Sequence, residues 1–188
     1  YYEIDHKLYP YQPIIGSENV GQLFEWTAVA DKKYIAGIFV WTGFDYLGEN
    51  GPWPARGGDC SFFDFAGNKT ARGHFFECLW KDIPKTHIVT IPEKESEFRM
   101  NPDGSFTYTP RPGWIRRWEW YDTRDKWNYR KDEDILVQVY TNAPEVELFL
   151  NGKSLGTKER SDFMEHNIVM WKVAYKEGTL LAVGKDGD

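Results

Sequence analysis

The chain has 188 residues, 41% of them apolar and 17% aromatic, which is enough to fold around a core and excludes a disordered tail. Its net charge of −6, without any run of Lys or Arg, excludes the basic surface of a nucleic-acid binder. No stretch approaches the ~20 consecutive apolar residues of a membrane span.

Residues 1–84 contain two apolar runs without polar alternation, at residues 13–17 and 34–41. Such runs are typical of parallel strands that are buried on both faces. Between them, the sequence predicts a helix whose apolar face consists of Leu23, Phe24, Trp26, Thr27 and Ala30. Together these segments predict a strand–helix–strand unit, and a second helix is predicted after Asn68, its expected N-cap.

Residues 85–188 instead alternate between apolar and polar positions and are divided by turn signals. The predicted strands lie at residues 97–100, 105–108, 135–140, 147–150, 154–155, 169–175 and 180–183. The strongest turn signal is Asn151-Gly152, because both residues tolerate the positive φ values of a type I′ turn. The last two strands are expected to turn at residues 176–178. Several short strands with regular turns predict an antiparallel sandwich of immunoglobulin type, with an edge strand missing at its C-terminal end.

The sequence predicts no metal site and no cofactor. The four histidines have no metal-ligand spacing, and Cys60 and Cys78 alone do not make a zinc site. These cysteines are either buried thiols or a disulfide, and the sequence leaves both open. It also leaves the compartment open, with a periplasmic or extracellular location as one option.

Two candidate site residues, a carboxylate and an indole, lie where the two apolar runs end. Glu18 comes directly after the first run, and Trp41 ends the second. In open α/β sheets and in barrels, catalysis takes place at the carboxyl ends of parallel strands. A carboxylate beside an indole suits a sugar, because the ring stacks on its C–H surface while the acid works at the anomeric carbon. The alternative is a solvated loop glutamate and a core tryptophan.

The chain also carries several longer motifs, at residues 2–7, 13–18, 37–49, 53–56, 61–67, 118–120 and 146–156. In these motifs it resembles glycoside hydrolase family 2, in its β-galactosidase branch. The resemblance implies a mixed fold, in which residues 1–84 are the C-terminal part of a (β/α)8 TIM barrel with strands seven and eight. Residues 85–188 would be an all-β immunoglobulin-like sandwich, truncated at its C-terminus. Residues 88–113 depart from the family pattern.

The resemblance also implies roles for individual residues. Glu18 corresponds to the catalytic nucleophile, and Trp41 would line the sugar subsite. Asp45 either contacts the sugar or fixes its own turn through backbone N–H groups. Trp53 and Arg56 are further substrate-binding candidates. The acid/base glutamate of the family belongs to the fourth strand, which has no counterpart in this sequence.

The expected function is therefore that of a fragment of a retaining β-glycosidase, most simply a β-galactosidase, which is inactive without the missing barrel strands. Its expected partners are a β-glycoside, the missing barrel domain and, as one option, further copies of itself. The alternative is a non-catalytic sandwich that binds carbohydrate or a neighbouring domain through its aromatic residues. The tryptophans considered for this role are Trp114, Trp118, Trp120 and Trp127.

Overall fold

The computed structural model describes residues 1–48, 53–54, 57–58, 60–113, 118–160 and 168–186. The chain divides into two compact units. The first consists of Tyr1–Arg72 with Gly113–Trp120, and the second of Gly73–Pro112 with Tyr121–Asp188. Among the described residues, no helix is long and apolar enough to cross a membrane.

The first unit begins with two helices and two strands. They are α1 Tyr2–Leu8, β1 Ile14–Val20, α2 Leu23–Thr27 and β2 Ile35–Trp41. Strands β1 and β2 pair in parallel, so the predicted strand–helix–strand unit is confirmed. Helix α2 is shorter than its predicted face, because the chain tightens after Trp26 into a bond from the Val29 N–H to the Trp26 carbonyl. A sheet of two strands does not by itself establish a barrel.

Strand β1 carries a bulge at the candidate nucleophile. Gly16 pairs with Ile38, and Asn19 pairs with Val40. The two residues Ser17 and Glu18 of β1 therefore lie opposite one residue of β2, Phe39. An extra residue bends its strand and redirects the side chains there, which is why bulges often occur beside active sites. The bulge leaves Glu18 exposed, whereas Asn19 is buried.

Helix α3, Ala71–Trp80, matches the second predicted helix but begins later than its expected cap. The backbone and side-chain amides of Asn68 donate instead to the Asp64 carboxylate, which closes the preceding turn. Most of α3 belongs to the second unit, where the Phe75 ring packs edge-on against Tyr140 at 5.4 Å. The two compact units divide between Arg72 and Gly73, near the start of α3. The expected domain boundary after residue 84 stays a prediction.

The second unit is built mainly from strands. Their bounds are β3 Thr86–Pro92, β4 Phe98–Met100, β5 Phe106–Tyr108, β6 Asp134–Thr141, β7 Glu145–Leu150, β8 Lys153–Glu159, β9 Val169–Ala174 and β10 Leu180–Lys185. In the part that the structure describes, two antiparallel sheets have the orders β3-β6-β9 and β10-β7-β8. Strands β4 and β5 form the predicted hairpin. A short 3-10 turn, Glu93–Glu95, follows β3.

Both of these sheets supply the core of the second unit. Its buried members are Val137, Val139, Val146, Leu148, Leu150, Val169, Trp171 and Val173. Strand β7 alternates buried and half-buried positions, as expected of a strand with one face in the core. Strand β6 is buried along nearly its whole length, since its other face carries Tyr140, which meets Phe75 of α3.

The connections of β8 and β10 show which turns the sequence specifies. Asn151 and Gly152 have φ values of 53° and 76°, so the predicted type I′ hairpin between β7 and β8 is confirmed. The expected pairing of the last two strands is wrong, because β9 pairs with β6 and β10 pairs with β7 in the other sheet. The chain therefore crosses between the sheets at residues 176–179.

Two further predictions concern side chains. Cys60 and Cys78 are buried free thiols, so the disulfide alternative is wrong. Trp120 is buried within the first unit, and Trp127 packs on the core of the second, where its indole N–H donates to the Lys176 carbonyl at 3.0 Å. These contacts favour a structural role for both rings, while Trp114 lies outside the described residues.

Candidate active site

The candidate site lies at the carboxyl end of the parallel pair β1–β2. Glu18 is an exposed residue of the bulge in β1, and Trp41 is the last residue of β2 with 39% of its surface exposed. Trp41 pairs with Val20, two residues beyond Glu18. Because the strands are parallel, the acid and the indole are brought to the same edge of the sheet, as the sequence predicts for a sugar site.

The Trp41 indole is held by Tyr46, which follows it in the next turn. Its Nε1–H donates to the Tyr46 hydroxyl at 3.0 Å, and the two rings meet edge to face with centroids 5.7 Å apart. The Trp41–Thr42 peptide bond is cis. A donor group engaged in this way orients the ring while leaving a face available for contact with a sugar.

Asp45 fixes the turn that carries Tyr46. One carboxylate oxygen, Oδ1, accepts the backbone N–H of Tyr46 at 3.0 Å and that of Gly58 at 2.8 Å. The other oxygen lies 2.2 Å from the point where a Cβ on Gly57 would stand, so only glycine fits there without displacing the carboxylate. Of the two roles that the sequence allows for Asp45, these contacts match the one in which its carboxylate fixes its own turn. Because that turn carries Tyr46, they also help to position the Trp41 indole.

The remaining two predicted substrate-binding residues have different outcomes. Trp53 is 81% exposed and presents a large apolar surface. Arg56 lies outside the described residues, so its role stays a prediction. The described geometry therefore does not assign a sugar contact to Trp53 or Arg56.

Tyr2 and Asn19 are residues at the site that sequence reasoning missed. The Asn19 side-chain amide donates to the Tyr2 hydroxyl at 3.1 Å, which ties α1 to the end of the bulge. Both groups pack on Gly16, where an added Cβ would stand 2.2 Å from Asn19 Oδ1 and 2.5 Å from the Tyr2 hydroxyl. A glycine inside an apolar strand run signals a bulge or a close approach, and Gly16 could have identified this contact.

A buried arginine connects more distant parts of the first unit. Arg72 is 1% exposed, and its two terminal nitrogens donate to the Cys60 and Trp118 carbonyls, each at 2.5 Å. Its guanidinium also lies 5.5 Å from the centroid of the Trp120 ring. A planar, forked donor serves two carbonyls at once, which an ammonium group on a flexible stem does less well.

Arg72 also reaches the ends of both parallel strands. The Cys60 carbonyl that it binds accepts the N–H of Thr42, the residue after Trp41, at 3.1 Å. A Cβ on Gly21, which follows β1, would stand 3.0 Å from Arg72 Cδ. Burial raises the pKa of the Cys60 thiol, although the positive charge of Arg72 opposes this, so the thiol is neutral and unsuited to nucleophilic attack.

The second unit contains a pair of stacked histidines. The rings of His74 and His87 have centroids 3.6 Å apart, and His87 Nε2 lies 2.8 Å from Asp125 Oδ1. Burial lowers the pKa of His87 below its ordinary value, although the bond to Asp125 opposes this. Among the described residues, no group of three or more His, Cys, Asp or Glu side chains is placed to hold a metal ion.

Comparison with known proteins shows that this chain is similar to a class of enzymes, the glycoside hydrolases. A β-galactosidase of Bacteroides ovatus is 30% identical over 161 residues, which cover 84% of this chain and 15% of that protein. A Formosa agariphila protein with a provisional β-glucuronidase name is 32% identical over 165 residues, covering 85% of this chain and 13% of that protein. The chain thus spans less than a sixth of the length of either relative.

Solved structures agree with these sequence relatives. A glycosyl hydrolase family 2 member from Bacteroides cellulosilyticus is 32% identical, with a TM-score of 0.79, and the match covers 98% of this chain and 24% of that one. Residues 132–188 match a family described as a domain of unknown function, DUF4982. The chain belongs to glycoside hydrolase family 2.

Proposed function

We propose that this chain is part of a retaining β-glycosidase in which Glu18 is the nucleophile. The observation that carries the proposal is the exposed Glu18 carboxylate at the bulge in β1, near the carboxyl end of a parallel strand pair whose other strand ends in Trp41. Family membership supports this assignment. The site of a sugar-cleaving enzyme needs such a carboxylate and a surface on which the sugar ring can stack.

In the proposed reaction, a Glu18 oxygen attacks the anomeric carbon of a β-glycoside as the bond to the leaving oxygen breaks. A second carboxyl group, about 5–5.5 Å from the first, gives its proton to that oxygen. The product is a sugar ester on Glu18, with the leaving group released as an alcohol. The second group then takes a proton from water, which attacks the same carbon and frees the Glu18 carboxylate.

We assign the second carboxyl group to a part of the enzyme outside these residues. In this proposal residues 1–84 are the end of a (β/α)8 barrel, and residues 85–188 are an immunoglobulin-like sandwich. A barrel of this kind takes at least ~200 residues, more than the first unit supplies. The small share of each relative that the chain covers supports this view. The isolated chain is then expected to have no turnover.

For the substrate, we favour a β-galactoside and keep a β-glucuronide as the second candidate. The Bacteroides ovatus relative is a β-galactosidase, and the provisional name of the Formosa agariphila protein points to β-glucuronides. The two sugars differ at C6, where a glucuronide carries a carboxylate and needs a compensating positive charge or hydrogen-bond donors. Nitrophenyl β-galactoside and β-glucuronide, assayed side by side, separate these candidates.

The test compares the full-length enzyme that contains this chain with its Glu18→Gln variant. Glutamine keeps the size of the side chain but is a poor nucleophile, so we expect kcat to fall at least about 10³-fold. Glu3→Gln is a matched control, because Glu3 is an exposed residue of α1 whose partner is Lys32 at 3.2 Å. A Glu18→Gln enzyme with the activity of the control would overturn the assignment.

A further inference from the structure

We propose that Tyr2, Gly16 and Asn19 form a clasp that sets the direction of the Glu18 carboxylate. This inference rests on the proposed role of Glu18 as nucleophile. The clasp consists of the Tyr2 hydroxyl, the Asn19 side-chain amide and the Cα of Gly16 on which both groups pack. Its members are positioning residues, and the geometry gives none of them a contact with the reacting sugar.

The clasp joins the two ends of the bulge. Gly16 is the last residue of β1 that pairs with β2 before the bulge, and Asn19 is the first that pairs after it. Ser17 and Glu18 lie between them, and neither residue has a pairing partner in β2. A contact that fixes the separation of Gly16 and Asn19 therefore fixes the path of the two residues between them.

Glu18 depends on its backbone for orientation. Its side chain is exposed, and no described residue forms a hydrogen bond or ion pair with it. Asn19 is 8% exposed, and within the described residues the Tyr2 hydroxyl is its side-chain partner. A hydroxyl both donates and accepts, so either orientation of the Asn19 amide keeps this contact.

The close approach at Gly16 provides a second way to open the clasp. An alanine methyl group there would occupy the space of Asn19 Oδ1, at 2.2 Å, and of the Tyr2 hydroxyl, at 2.5 Å. Both are ends of side chains that can move away, so the backbone can keep its path elsewhere. Gly16→Ala thus separates the two groups without deleting either, while Tyr2→Phe deletes only the hydroxyl.

The experiment measures how fast Glu18 reacts with a 2-deoxy-2-fluoro β-glycoside that carries a good leaving group. The full-length enzyme is used, and the rate at saturating reagent is divided by the concentration of active sites that finally become labelled. This rate constant reports how well the carboxylate is aimed and is not changed by the fraction of unfolded protein. A purely structural contact would lower the yield of labelled sites and leave the rate constant unchanged.

We expect Tyr2→Phe to lower this rate constant roughly 10-fold, because small displacements of a reacting group cost one to two orders of magnitude in rate. Gly16→Ala should lower it by a similar factor. The double variant should be little slower than either single one, since both open the same clasp. Tyr11→Phe is the matched control, because Tyr11 is 98% exposed, and it should react like the parent enzyme.

The outcomes separate this inference from the proposed function. If the parent enzyme carries its label on another residue, the nucleophile assignment fails and the clasp proposal fails with it. If the parent is labelled at Glu18 and Tyr2→Phe reacts within twofold of it, the clasp is overturned while the nucleophile stands. Should Tyr2→Phe not fold, Gly16→Ala decides, and a rate within twofold of the parent again overturns the clasp.

Discussion

Arg72 is expected to hold the two strand ends of the first unit together, and replacing it with Met tests this. Arg72→Met keeps a long side chain but removes the donors to the Cys60 and Trp118 carbonyls. Each hydrogen bond from a charged donor contributes about 1.5–3 kcal/mol, and part of this is offset because the guanidinium no longer has to be buried. The Cys60 carbonyl also keeps the Thr42 N–H. A net loss of about 3 kcal/mol is therefore expected.

Hydrogen exchange followed by mass spectrometry measures this loss where it occurs. Since about 1.4 kcal/mol corresponds to a tenfold change, amides of β1 and β2 should exchange about 100-fold faster in Arg72→Met. Amides of β7, in the second unit, provide an internal reference. Arg130→Met is the control, because Arg130 is exposed. Unchanged exchange in β1 and β2 would refute the reasoning.

Two other predictions concern the second unit. The pKa of His87 is lowered in the folded state, so the unfolded chain binds its proton first as pH falls. The free energy of unfolding should thus be greatest above about pH 6.5 and decrease below it, and His87→Gln should flatten this decrease. Leu148→Ala in the core should cost about 2–5 kcal/mol in urea unfolding, and Leu181→Ala, at an exposed site, less than about 0.5 kcal/mol. A steeper pH dependence in His87→Gln, or equal losses at both leucines, would contradict these expectations.

Local turn and strand signals predicted much of the second unit. Asn151-Gly152 specifies its hairpin because the required φ values belong to those two residues. The turn also has a tertiary role, since Asn151 accepts the Thr179 N–H at 2.8 Å and donates to the Glu177 carbonyl at 3.0 Å. Nothing in the local sequence encodes that contact between two separate turns.

The sequence-based predictions that were missed or wrong concern strand pairing between residues that are distant in the sequence. Strand β3 was not predicted, and its run ends in Pro92, a residue that disfavours strands. The structure makes it an edge strand, where proline is tolerated. Similarly, β9 and β10 follow one another in the chain but join different sheets, and this choice depends on how the core closes.

The candidate site shows the same division between local and distant information. The sequence predicts Glu18 and Trp41 as site residues because each stands at the end of an apolar run. The parallel pairing of β1 and β2 then brings both to the same edge of the sheet. Tyr2 and Asn19 meet across 17 positions, and Arg72 and Trp118 across 46. No periodic pattern connects residues at such separations, so only the folded structure reveals them.

The measurement that tests the central claim most directly is peptide mapping of the full-length enzyme after reaction with a 2-deoxy-2-fluoro β-glycoside. The account predicts one sugar ester per active site, located on Glu18, and no labelling in Glu18→Gln. A label on a different carboxylate would contradict the account. So would hydrolysis of β-glycosides that continues unchanged in the Glu18→Gln enzyme.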